Sequence, residues 1–67
     1  MNIVHYWRLH YRIEYPSGKV WKDKQVISGD TRGQAEMNLE WLLNGRNGKV
    51  IITDAQYLGI TKPKSDL

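Results

Sequence analysis

Thirteen residues, Ile3 to Tyr15 (IVHYWRLHYRIEY), alternate with a period of two, and this pattern constrains the chain more than any other stretch. Ile3, Trp7, Leu9, Tyr11, Ile13 and Tyr15 are apolar or aromatic, whereas Arg8, His10, Arg12 and Glu14 sit between them. A two-residue period sends successive side chains to opposite faces of an extended strand. One face can be buried while the other stays wet and mostly cationic.

The segment that follows, Tyr15-Pro16-Ser17-Gly18-Lys19, is a hairpin turn. Proline fixes φ at the first turn position, and glycine supplies the positive φ that closes a three-residue type I turn with a bulge. A second strand is expected over Lys19 to Ser28. With Tyr15 facing Lys19, the register sets Ile13 opposite Trp21, Leu9 opposite Gln25 and Trp7 opposite Ile27, a row expected to be buried. On the other face it sets Arg12 opposite Lys22, His10 opposite Lys24 and Arg8 beside Val26. Like charges directly across a sheet cost up to about 1 kcal/mol per pair, so a face that collects them suggests an anionic partner.

Ser28-Gly29-Asp30-Thr31 ends the strand and opens a helix, with Thr31 and Gln34 spaced as a capping box. The helix is expected from about Arg32 to Asn44, with Gly45 as its left-handed stop. Ala35, Leu39, Leu42 and Leu43 fall on one side at about 100° per residue. Met37 and Trp41 lie together on nearly the opposite side, either as a protein-binding pair, since tryptophan is enriched at binding hot spots, or covered by the tail. Arg46-Asn47-Gly48-Lys49 is a turn, and Val50 to Ile60 is a third strand with an irregularity near Asp54-Ala55. Residues 1–61 are expected to form a single domain, with 62–67 as a loose polar tail.

Strand direction sets the topology. The third strand runs antiparallel to the first and pairs with its free edge, which predicts an α+β fold of type ββαβ. Its three-stranded antiparallel sheet has order 2-1-3, with one helix on one face. The other face stays open and carries Tyr6, Arg8, His10, Arg12, Lys22 and Lys24.

Composition narrows the function. The 67 residues hold one core, contain no cysteine, and carry a net charge of +3. Without cysteine there are no disulfides or thiolate sites, which fits a cytoplasmic setting. No apolar run reaches the roughly 18 residues of a membrane span, and the first residues lack a charged-then-apolar leader, so no signal peptide is expected. Charge is segregated: residues 26–45 place Asp30, Glu36 and Glu40 against Arg32 alone, while both flanking segments are net positive. Such asymmetry steers anionic partners to one side.

No enzyme chemistry is expected. There is no Gly-x-Ser-x-Gly elbow, and His5 and His10 point to opposite faces of a strand. Glu14 lies roughly 13 Å from His10 at strand rise. Gly45 to Lys49 shares part of a phosphate-loop pattern but follows a helix rather than preceding one. No metal site and no cofactor are expected. Tyr6 among Arg8, His10, Arg12, Lys22 and Lys24 supplies the ingredients for phosphate contacts and base stacking.

In size, layout and lack of cysteine the chain resembles small phage- or prophage-encoded accessory proteins, anti-CRISPR inhibitors among them. The likeness is of architecture alone, and no motif carries it. It implies a non-catalytic protein that occupies a nucleoprotein complex or a host protein, in the second case through Met37 and Trp41. The expected function is thus non-catalytic binding of nucleic acid or nucleoprotein by a monomer or weak homodimer, with no membrane partner.

Overall fold

A computed structural model describes residues 3–61. Its elements follow in the order β1 (Tyr6–Glu14), β2 (Val20–Ser28), α1 (Arg32–Leu42) and β3 (Lys49–Gly59). The three antiparallel strands form an open sheet in the order β2-β1-β3, with the single helix on one face. The fold is α+β, in the arrangement that strand direction predicts.

The turn sets the register. The Tyr15 N–H donates to the Lys19 carbonyl at 2.9 Å, the Gly18 N–H donates to the Tyr15 carbonyl at 2.9 Å, and Gly18 has φ of 91°. This is the three-residue loop with a glycine in the positive-φ position that Pro16-Ser17-Gly18 encodes. From it follow Ile13 opposite Trp21, Arg12 opposite Lys22, His10 opposite Lys24 and Arg8 opposite Val26. At the far end the Gly29 N–H still meets the His5 carbonyl at 3.0 Å.

Leu9, Tyr11 and Ile13 of β1 meet Ala35, Leu39 and Leu43 in the core, flanked by Trp7, Ile27, Val50, Ile52 and Ala55. The few polar groups there are satisfied. The Trp7 Nε1–H donates to the Gly29 carbonyl at 2.9 Å, and the Tyr11 hydroxyl accepts from Gln25 Nε2 at 3.2 Å. Helix entry is held by Thr31, whose Oγ1 accepts from the Gln34 N–H at 3.1 Å. The expected capping box is only half formed, because the Gln34 amide turns to Asn38 Oδ1 instead. At the other end the Leu43 N–H bonds the Leu39 carbonyl. Gly45, with φ of 121°, lies two residues beyond that cap.

Two expected core residues are exposed, and Trp7, Gln25 and Ile27 of the row expected to be buried are only partly buried. Trp21 is 55% exposed and Leu42 is 57% exposed. Eleven helical residues span about 16 Å, whereas nine strand residues span about 30 Å, so α1 cannot cover the whole length of β2. Trp21 lies near the hairpin on the edge strand, whereas Ile13, opposite it on the central strand, is fully buried. Leu42 is on the flank of α1 that faces the β2 edge rather than the sheet centre. The first strand also starts later than its alternation suggests, since Ile3 and Val4 are exposed and precede β1.

Candidate nucleic-acid interface

The even-numbered side chains of β1 share the open face with those of β2 at the same level. Successive rows across the sheet read Val26, Arg8, Gln56; then Lys24, His10, Asp54; then Lys22, Arg12, Ile51; then Val20, Glu14, Lys49. Arg8, His10, Arg12, Lys22 and Lys24 are therefore brought together, as their register requires. The row containing Arg12 and Lys22 has no acid across it.

The third strand supplies neighbours that alternation alone does not reveal. Between His10 and Tyr11 the β1–β3 register shifts by one, and Thr53 is the extra residue. The bulge thus falls just before the irregularity expected near Asp54-Ala55, and it sets Asp54 beside His10. A bulge bends its strand and sharpens the local twist. The Thr53 hydroxyl lies 3.3 Å from the His10 carbonyl, which accepts its hydrogen bond. Next to it is a hollow of about 320 Å³ lined by His10, Tyr11, Arg12, Lys22, Asp23 and Thr53.

The cations differ in how they are engaged. Arg12 Nε donates to Glu14 Oε2 at 2.9 Å, a bond that holds the guanidinium in place and leaves its terminal Nη groups for an anion. Arg8 Nη1 donates to Gln56 Oε1 at 3.2 Å. Lys22 and Lys24 are exposed and make no ion pair among the described residues. Positive charge is thus concentrated on the β2 side of the face. The helix carries the opposite sign, with Glu36 holding Arg32 at 2.7 Å and Glu40 exposed on the β3 side.

Tyr6 is not part of this hollow. It pairs with Ser28 and Gly59 at the far end of β1, roughly 20 Å from Arg12 at strand rise. It lines a second hollow, of about 370 Å³, that wraps the β2 edge and is also lined by Val26, Ile27, Ser28, Asn38, Trp41 and Leu42. Tyr6 and Trp41, expected at two separate sites, therefore line the same groove. Trp41 is 79% exposed and Met37 is 64% exposed, and Met37 does not line it. The expected cover by the tail lies outside the described residues.

His5 and His10 are not brought together; His5 Nδ1 instead meets the Tyr57 hydroxyl at 2.7 Å. Among the described residues no group of three or more His, Cys, Asp or Glu could hold a metal ion, and no helix is long and apolar enough to cross a membrane. No protein-family model, no curated protein and no solved structure matches the chain.

Proposed function

We propose that the protein is a non-catalytic cytoplasmic binding protein that lays the open face of its sheet on nucleic acid, alone or within a nucleoprotein complex. The observation that carries this reading is the Arg12–Lys22 row beside a concave hollow, on a face that no other described element covers. Like charges across a sheet cost stability, and a bound phosphate backbone offsets that cost. The architectural likeness to small phage-encoded accessory proteins adds a nucleoprotein to the candidate targets. The same stripe repels a symmetric copy of itself, which favours a monomer.

The test is a titration of a labelled oligonucleotide at several salt concentrations, with wild type and with Arg12→Ala/Lys22→Ala. Each phosphate neutralised on a single strand contributes about −0.7 to the slope of log affinity against log salt. The double variant should bind more weakly and lose about 1.4 from that slope. Unchanged affinity and slope would remove the proposal.

A further inference from the structure

Resting on this nucleic-acid reading, we infer that the groove at the β2 edge seats an unpaired base of a single-stranded nucleic acid whose phosphates lie on Lys22 and Lys24. Three observations converge on it.

The first is position. Val26, which lines the groove, is two residues along β2 from Lys24 and four from Lys22, about 7 and 13 Å at strand rise. A strand that follows the two lysines along the edge arrives at Tyr6, Val26 and Trp41. The second is charge. At about 100° per residue, Asn38, Trp41 and Leu42 face the β2 edge while Glu36 and Glu40 fall on the other flank of α1. Glu40 accordingly lines a separate hollow with Val50 and Lys49 of β3. The Asp23 carboxylate, the acid nearest the lysines in the chain, accepts the Lys24 backbone N–H at 2.8 Å. A phosphate backbone thus reaches the groove along cations, with the acids of the helix behind it.

The third observation is the chemistry of the walls. Trp41 is an aromatic with most of its surface exposed, and Val26 and Leu42 are apolar. Asn38 is already committed at both ends. Its Nδ2 donates to the Ser28 carbonyl at 2.8 Å, and its Oδ1 accepts from Gln34. The groove therefore provides stacking surface, with the Tyr6 and Ser28 hydroxyls as its remaining hydrogen-bonding groups, and stacking suits any base. Bases in a duplex are stacked on one another and present no free ring face, so the ligand is single-stranded.

The experiment compares, by fluorescence anisotropy, a mixed-sequence single strand of about twelve nucleotides, an abasic strand of equal length, and a duplex. Stacking on one aromatic predicts that wild type binds the base-containing strand about tenfold or more tighter than the abasic one. Trp41→Ala should lower the affinity for the base-containing strand to the abasic level, without altering the salt slope or the melting temperature. Trp41→Phe should restore most of the difference. Equal binding of base-containing and abasic strands by wild type, with strong salt dependence retained, would overturn the groove proposal and leave the cationic face standing. Trp41 and Met37 would then be left for a protein surface. Absence of binding to all three ligands would overturn the nucleic-acid reading and this inference with it.

Discussion

At the residue scale, burial separates side chains of similar hydrophobicity into two groups with opposite consequences. Leu9, Ile13 and Leu39 are fully buried, whereas Trp41 and Met37 face solvent. Leu39→Ala should cost about 2–5 kcal/mol, from lost transfer energy plus a cavity. A domain of this size is only marginally stable, so the variant should be largely unfolded in a urea titration. Trp41→Ala, made at an exposed site, should shift stability by no more than about 0.5 kcal/mol. Two glycines set close approaches of a different kind. A Cβ on Gly29 would sit 2.5 Å from the Ala35 nitrogen, and one on Gly48 would meet the Ile13 side chain and the Glu14 carbonyl. Gly29→Ala should therefore cost about 1–3 kcal/mol through overpacking, read as an earlier denaturant midpoint with unchanged slope.

At the element scale, the hairpin carries both the fold and the candidate site. Pro16-Ser17-Gly18 leaves one short loop geometry, and that geometry sets every pair from Tyr15–Lys19 to Tyr6–Ser28. This is why the cross-strand cations could be read from the sequence, and why strand direction then fixed the order 2-1-3. The third strand could not be read so far. In Val50-Ile51-Ile52 both faces are apolar, and the extra residue at Thr53 inverts the alternation beyond it, so the placement of Asp54 beside His10 has no local signal. The reach of α1 was also hidden, because Leu42 matches the apolar stripe in spacing while lying at its rim. That Trp41 lines a groove with Tyr6 depends on where α1 lies along the β2 edge, which is a feature of tertiary structure. A trade-off at the hairpin follows from the Arg12–Lys22 row. Lys22→Glu turns a repulsive cross-strand pair into an attractive one, for a gain of roughly 0.5–1 kcal/mol. In a domain of this size that amounts to a rise of several degrees in Tm, about 4–8 °C per kcal/mol. The same change should abolish oligonucleotide binding. Thermal melts and anisotropy on this one variant should move in opposite directions, as expected where stability has been yielded to function.

At the scale of the whole molecule, charge is arranged by layer. The sheet's open face is net positive, and the helix layer carries Glu36 and Glu40 on its β3 flank. Exposed charges more than a Debye length apart, about 10 Å at 0.1 M salt, are largely screened. Those within the Arg12–Lys22 row are closer than this and still feel one another. Raising salt should weaken this repulsion within the free protein and also the attraction to a phosphate backbone. Among the described residues the ion pairs Arg12–Glu14 and Arg32–Glu36 are at least partly exposed, and such pairs contribute little to stability. The net charge of +3 adds its own self-repulsion to the folded state. The melting temperature should therefore rise between about 20 and 200 mM NaCl while oligonucleotide affinity falls steeply over the same range. Arg12→Ala/Lys22→Ala should lessen both trends, because this row of charges contributes to each. If the double variant lessened the binding trend alone, the repulsion across the hairpin would be too weak to matter for stability. If it lessened the melting trend alone, the row would be a structural feature and the phosphate contacts would have to be sought elsewhere on the molecule.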